Sequence, residues 1–214
     1  MAYLGNTPPK VPLTSADITD GIITSAKIAD GTIVNADINS SANIDASKII
    51  GAGISEFDMW RQTTNTDINS GAVRYNISSN WERCDTNLFS LVGTGMTQSS
   101  GTFTFPSTGY WLIEFQAGVY RVSGALRCVN VNINLTTNNS TYSTVSASYN
   151  NIHNFSGNSC HCSSMARYFG NITDTANQKI RFGVWDQNGS DTAYMEGSTS
   201  DNYQTYVTFW KVKS

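Results

Sequence analysis

Two hydrophobic patterns divide this chain near residue 60. Before that point isoleucine recurs every five positions, with one extra residue between Ile38 and Ile44, and after it apolar and polar residues alternate along several segments. Strict alternation is typical of a strand that buries one face, whereas a five-residue spacing fits no single regular element. The sequence therefore predicts two different kinds of structure, an extended repetitive segment over residues 14–59 and an all-β knob over residues 60–214.

The segment 14–59 is built on a ten-residue repeat. Residues 14–23 read TSADITDGII and residues 24–33 read TSAKIADGTI. Five steps of a helix or a strand carry a side chain off the face of the previous one, so the chain must bend between isoleucines. The bends are predicted at Asp20-Gly21 and Asp30-Gly31, which are strong turn dipeptides.

The isoleucine row predicts assembly of several chains. A single row of apolar side chains cannot offset the entropy of ordering some ~40 residues. Shafts that enclose one apolar column commonly have threefold symmetry, so we expect a trimeric stalk. The alternative is a disordered linker that happens to repeat. The residues predicted to form the trimer interface of the stalk are Ile18, Ile23, Ile28, Ile33 and Ile38.

Residues 1–13 precede the repeat and contain Pro8-Pro9 and Pro12. Proline fixes the backbone in extended conformations, so this segment is predicted to lack regular structure. It is interpreted as a docking segment for a larger assembly or, alternatively, as a frayed terminus. It lacks the basic region and apolar core of a secretory signal, and Sec-type export is not expected.

Period-two alternation after Trp60 predicts a series of short strands. Val129, Val131 and Ile133 alternate with asparagines, and Trp111 to Val119 alternate in the same way. Many short strands with turns between them and no helical period indicate a sandwich or barrel, and we favour a jelly roll. The strands are predicted at residues 71–77, 88–92, 102–105, 111–119, 128–135, 142–149, 164–171, 179–185 and 203–212.

The last predicted strand is apolar on both faces. Val207 and Phe209 lie on one face, and Tyr206 and Trp210 lie on the other. One face can enter the core while the other enters a subunit interface. Tyr206 and Trp210 are therefore predicted to lie in the trimer interface of the knob.

Composition and charge exclude several functions. Asn, Ser and Thr supply about a third of the chain, charged residues supply 14%, and the net charge is −3 without a Lys/Arg cluster. Nucleic-acid binding needs such a cluster and is not expected. No stretch reaches the roughly 18 apolar residues of a membrane span, so no membrane insertion is predicted.

Two groups of residues are candidate metal sites. His153, Cys160, His161 and Cys162 are soft ligands close together in sequence, and three copies could bring them to an axis. The alternatives are a disulfide to another strand or free thiols. Calcium is considered at the loop 186–202, where a solvated hairpin loop is the alternative, and no other cofactor is expected. The acidic residues of this loop are Asp186, Asp191, Glu196 and Asp201.

Enzymatic activity is not expected. Both histidines lie in one Asn/Ser-rich stretch, which offers no positioned nucleophile and base. The acidic residues of the knob cluster in one loop and form no convincing glycosidase pair. Aromatic residues in or beside polar loops are candidate receptor contacts, with core or interface packing as the alternative. These candidates are Tyr142, Tyr149, Trp185 and Tyr194.

The knob resembles C1q/TNF-like domains. Residues 100–115, SGTFTFPSTGYWLIEF, match a Gly-x-Phe strand, a Pro-x-x-Gly turn and an aromatic strand of that family. Residues 173–184 and the closing aromatic strand stand where the family has its last two strands. The resemblance covers residues 60–214 and implies a trimeric, ten-stranded jelly roll.

The N-terminal part resembles fibre and appendage proteins of tailed bacteriophages, marine ones such as cyanophages in particular. The resemblance rests on the opening octet MAYLGNTP together with the AKIADGTI repeat. It implies a homotrimer that is assembled in the host cytoplasm, mounted on the virion through residues 1–13, and bound by its knob to a host-surface glycan or protein. The alternative is a capsid-decorating or purely structural fibre without receptor binding, and a secreted C1q-like lectin or signalling knob is a third possibility.

Overall fold

A computed structural model describes residues 14–39, 41–42, 44, 53–68, 73–86, 89–122, 126–153, 159–186, 192–200 and 203–213. The chain forms two compact units, residues 1–45 and 46–214. The predicted docking segment 1–13 lies outside the described residues. In the described ranges, none of the helices has the length and apolar character that crossing a membrane requires.

The first unit is a chain of short 3-10 turns, one in each repeat. The turns are Ser15–Asp17, Ser25–Lys27 and Asn35–Asp37. Between them Gly21 and Gly31 have φ angles of +77° and +76°, a left-handed conformation that glycine adopts without steric cost. The bends predicted at Asp20-Gly21 and Asp30-Gly31 are thereby confirmed.

Each described turn is closed by local hydrogen bonds, some of them from side chains. The backbone N–H and the hydroxyl of Thr14 both donate to Oδ2 of Asp17, at 2.8 and 2.7 Å, and the N–H of Val34 donates to Oδ2 of Asp37 at 2.9 Å. The bonds from Thr14, its backbone N–H first, lower the pKa of Asp17 because they stabilise the carboxylate.

In one chain the five isoleucines of the row stay 39–54% exposed.

The second unit consists of antiparallel strands in two sheets. The strands are β1 Glu56–Gln62, β2 Thr66–Asp67, β3 Trp81–Arg83, β4 Thr97–Ser99, β5 Thr102–Thr104, β6 Gly109–Arg121, β7 Leu126–Thr136, β8 Tyr142–Ile152, β9 Cys160–Ile172, β10 Lys179–Asp186, β11 Ala193–Met195 and β12 Tyr206–Lys213.

The larger sheet has seven strands. Five of them follow the order β9-β6-β12-β1-β3, and the short strands β11 and β2 extend the sheet beside one end of β6. The smaller sheet has five strands in the order β4-β5-β10-β7-β8.

The core lies between the two sheets and uses the predicted alternation. On β6 the odd-numbered side chains from Trp111 to Val119 are at most 1% exposed, and Val129, Val131 and Ile133 of β7 are fully buried. The inward residues of β10, such as Phe182, complete the layer. The all-β sandwich predicted from period two is confirmed.

One predicted boundary and two predicted strands differ from the structure. β1 begins at Glu56, which pairs with Lys211, so the boundary expected at residue 60 falls inside a strand. Within the described parts of segments 71–77 and 88–92, Val73 and Val92 make only isolated bridges, so neither predicted strand forms. Residues 73–77 instead arch over β10, where a Cβ on Gly183 would lie only 2.0 Å from the carbonyl oxygen of Arg74.

This arch buries the polar face of β7. Asn130, Asn132 and Asn134 are only 2–3% exposed, although their alternation with valine and isoleucine predicts a solvated face. Their amides form a ladder, with Asn132 donating to Asn130 at 2.8 Å and Asn134 donating to Asn132 at 2.7 Å. Asn132 also donates to the carbonyl of Arg74 at 2.9 Å. The row is buried at low cost because its amides are hydrogen-bonded.

Candidate functional site

The side of the seven-stranded sheet that points away from the core is the first candidate site, and we call it the β6 face. On β6 it carries the side chains between the buried ones, from Leu112 to Tyr120. The register places Trp210 beside Leu112 and Tyr206 beside Gln116. The described residues that form the aromatic end and the centre of the β6 face are Phe57, Leu112, Glu114, Gln116, Met165, Arg167, Phe169, Tyr206 and Trp210.

Aromatic rings dominate the end of the β6 face near the start of β1. The ring of Trp210 packs on Phe57 with centroids 4.1 Å apart, and Phe57 contacts Phe89 at 5.8 Å. Tyr110 and Phe169 stack at 5.9 Å while remaining 37% and 58% exposed. Exposed apolar surface of this kind is typical of an interface.

A polar cluster occupies the other end of the β6 face. Nδ1 of His161 lies 2.9 Å from Oε1 of Glu196, and Gln204 donates to the same oxygen at 3.2 Å. The imidazole stacks on Tyr120 with centroids 5.6 Å apart. The Glu196 carboxylate fits over Gly118, where a Cβ would approach its Oε2 to 2.7 Å. A cavity of about 400 Å³ adjoins this cluster.

Solved structures of low sequence identity resemble this chain in fold. Eiger TNF from S. frugiperda aligns with a TM-score of 0.50 at 10% identity, over 72% of this chain and 90% of that one. The chain has a TNF-like jelly-roll fold. Murine APRIL at pH 5.0 aligns with a TM-score of 0.49 at 10% identity, over 73% of this chain and 98% of that one. No protein-family model matches the sequence, and no curated protein matches it either.

In the TNF-like jelly roll the four predicted soft ligands do not converge within one chain. Cys160 and Cys162 point toward the core and His161 points outward, because successive residues of β9 alternate in direction. His153 is exposed beyond the end of β8. Among the described residues no group of three His, Cys, Asp or Glu side chains could hold a metal ion. One chain thus brings no common set of these ligands together, and a metal site shared between copies stays a prediction.

The acidic loop 186–202 is more structured than predicted. Asp186 ends β10 and is 3% exposed, and Glu196 is 8% exposed. Between them β11 pairs with both β2 and β6, so a solvated hairpin loop does not describe residues 193–196. Asp191 and Asp201 lie outside the described residues, and calcium binding stays a prediction.

The four aromatic residues predicted as receptor contacts lie on two different sheets. Tyr194 stacks on Tyr120 in the seven-stranded sheet at 5.3 Å, whereas Tyr142, Tyr149 and Trp185 lie on the outer side of the five-stranded sheet. Tyr149 is 65% exposed. They do not form one continuous patch.

Trp185 contacts the arch formed by residues 73–77. The Arg74 guanidinium lies 4.2 Å from the centre of the Trp185 ring, and the indole N–H donates to Oδ1 of Asn130 at 2.8 Å. Its ring is thus covered from one side by the arch and its only polar atom is occupied. Trp185 thus packs against the arch on the outer side of the sheet while staying half-buried, and its receptor contact stays a prediction.

One buried thiol, Cys84, and one partly buried thiol, Cys162, make the knob sensitive to alkaline pH. Burial raises the pKa of Cys84 and of Cys162 to about 11. Between about pH 9 and pH 11 the unfolded chain ionises these thiols and the folded chain does not, so the free energy of unfolding falls as pH rises, by roughly 2 kcal/mol per thiol at pH 11. Urea unfolding at pH 8 and pH 10.5 measures this change. The Cys84→Ala/Cys162→Ala chain is expected to lose most of the difference, and an identical pH dependence in both chains contradicts the account.

Proposed function

We propose that this chain is a homotrimeric virion appendage whose knob binds a host-surface glycan or protein. The observation that carries the proposal is that one chain leaves two apolar surfaces uncovered. The isoleucines of the repeat are 39–54% exposed, and the rings of the β6 face include Phe169 at 58% exposure. Other copies of the same chain can cover both surfaces at once, because every copy carries the same two apolar surfaces.

Three copies suit the chemistry of the β6 face. Its aromatic end offers the apolar area that a subunit interface buries. Its centre carries the Glu114–Arg167 pair at 2.8 Å and the contact of the Tyr206 hydroxyl with Gln116 at 3.4 Å, which can fix the register of neighbouring copies. A trimeric repeat holds the three knobs together and raises their effective concentration.

The virion part of the proposal rests on the resemblance of residues 1–13 and the repeat to phage appendage proteins. In this account the segment 1–13 docks on other virion proteins and the chain is assembled in the host cytoplasm. The knob performs no chemistry. Its role is adhesion strengthened by three equivalent sites, which can raise overall avidity by about 10²–10⁴ over a single site.

Adsorption of the full chain to cells tests this proposal. Fluorescently labelled full chain is added to a panel of marine cyanobacterial strains, and bound fluorescence is measured with the oligomeric mass of each variant. We expect saturable adsorption to a subset of strains. Trp210→Glu places a charge in the β6 face and is expected to weaken both assembly and adsorption, the latter at least about 100-fold through lost avidity.

The matched control is Val145→Glu, which places the same charge on β8 at a side chain 36% exposed. It is expected to assemble and adsorb as the parent chain does. Adsorption to no strain, together with even labelling of capsids in micrographs, would contradict the adhesin and favour the capsid-decorating alternative.

A further inference from the structure

A cationic cleft opens on the outer side of the five-stranded sheet, away from the β6 face. It has a volume of about 330 Å³ and lies over β4, β5 and β10 beside the start of β8. We call it the β10 cleft. The residues lining it include Thr102, Thr104, Asn139, Tyr142, Lys179 and Arg181.

Two cations project into the β10 cleft from one strand. Lys179 and Arg181 are two positions apart on β10, on the side opposite the buried Ile180 and Phe182, so their side chains leave the same side of the sheet. The ion pairs formed within the described part of the chain include neither of them. The two neighbouring positive charges of the cleft are therefore available to an anionic ligand, although the net charge of the protein is −3.

The Arg181 guanidinium is held in place before any ligand arrives. It lies 3.9 Å from the centre of the Tyr142 ring, and its Nε donates to the hydroxyl of Thr102 at 2.9 Å. With Nε occupied, the terminal nitrogens remain as donors. A guanidinium that is fixed in this way loses little entropy when it binds a planar or tetrahedral anion.

The rest of the wall is neutral and rich in hydrogen-bonding groups. Threonine and serine hydroxyls and the amides of Gln98 and Asn139 line it, and none of its described lining residues is acidic. Hydroxyls and amides of this kind match the hydroxyl groups of a sugar ring, while the two cations match an acidic substituent. A small inorganic anion would leave this neutral wall unused.

We propose that the β10 cleft binds an acidic saccharide, a sugar that carries a carboxylate or sulfate group. The inference deepens the proposed adhesin function and rests on it for its biological role. Because the β10 cleft and the β6 face belong to different sheets, burial of the β6 face between copies leaves the cleft open. A trimer therefore presents three equivalent clefts, and a polymeric acidic glycan engages them with avidity.

Retention of the full chain on immobilised polymers tests the β10 cleft. The probes are polygalacturonate for carboxylates, dextran sulfate for sulfates and dextran as the neutral polymer. We expect retention on at least one acidic polymer and none on dextran. Lys179→Gln/Arg181→Gln is expected to lose at least tenfold in apparent affinity. The unfolding midpoint is expected to fall only slightly, because both side chains are half-buried and the contacts of Arg181 with Thr102 and Tyr142 are the ones lost.

The matched control is Lys27→Gln/Lys48→Gln, which removes the same charge from the repeat and is expected to bind as the parent does. Equal weakening of both variants, or no retention on either acidic polymer, overturns the proposal. Displacement by inorganic sulfate as effective as displacement by galacturonate oligosaccharides at equal charge also overturns it, since the neutral wall would then contribute nothing.

Failure of this inference is distinguishable from failure of the adhesin. If Lys179→Gln/Arg181→Gln still adsorbs to host cells as the parent does, the β10 cleft is not the contact with the host and the adhesin stands. If adsorption and polymer retention fall together in that variant, both are supported by one site.

Discussion

Phe103→Ala is expected to lower the free energy of unfolding of the knob by about 3–5 kcal/mol. Phe103 is fully buried and lies at the centre of an aromatic cluster that joins the two sheets. Its ring lies 5.3–5.5 Å from the rings of Trp60, Trp81, Phe182 and Phe209. Truncation removes the apolar contacts of the ring and leaves a cavity that four rigid neighbours cannot close.

Urea unfolding monitored by tryptophan fluorescence measures this effect. Tyr149→Ala is the control, because it also deletes an aromatic ring but at a side chain 65% exposed, where a change within about 0.5 kcal/mol is expected. A loss below about 1 kcal/mol in Phe103→Ala would show that the two sheets do not share this cluster.

Asp58→Ala is expected to cost about 3–5 kcal/mol as well, for an electrostatic reason. The Asp58 carboxylate is 1% exposed and accepts two hydrogen bonds from the Arg83 guanidinium, at 3.0 and 3.1 Å. It also accepts the N–H of Met96 at 2.7 Å and the indole N–H of Trp60 at 2.8 Å. Removal of the carboxylate leaves these donors without their acceptor inside the sandwich.

A double-mutant cycle with Arg83→Met measures the same contact. The double variant has no unpaired guanidinium. Its loss in the free energy of unfolding is therefore expected to be clearly smaller than the sum of the losses in the two single variants. Additive losses contradict the account, since they mean that Asp58 and Arg83 do not depend on each other.

The alternation of residues encodes much of this fold locally. Along the middle of β6, β7 and β10, over residues 111–119, 129–133 and 180–184, every second residue is apolar and buried, so the sequence predicts both the strands and their inward faces. The turn dipeptides of the repeat likewise predict the left-handed glycines Gly21 and Gly31. In these places a strand or turn is determined by residues only a few positions apart in the sequence.

Other features depend on residues far apart in the chain and have no local pattern. Asn132 alternates as a solvated residue does, and only the arch over Gly183 buries it. Trp185 reads as an exposed aromatic residue, yet Arg74 covers it from more than 100 positions away. Burial of this kind requires knowledge of which segment crosses which sheet.

The candidate sites divide in the same way. Tyr206 and Trp210 could be assigned to an outward face because β12 is apolar on both sides. From the sequence Glu196 is only one acid of a polar loop, because its contact with His161 depends on the position of β11 beside β6. The outward cations Lys179 and Arg181 are visible in the sequence, but the β10 cleft forms only when β5 pairs with β10.

The mass of the intact chain in solution tests the central claim most directly. One chain has a mass of 23.3 kDa, and light scattering coupled to size exclusion resolves one copy from three. We predict a single species at about three times the chain mass, because in the proposed assembly other copies cover both the isoleucine row and the β6 face. A stable species with the mass of one chain would contradict the account.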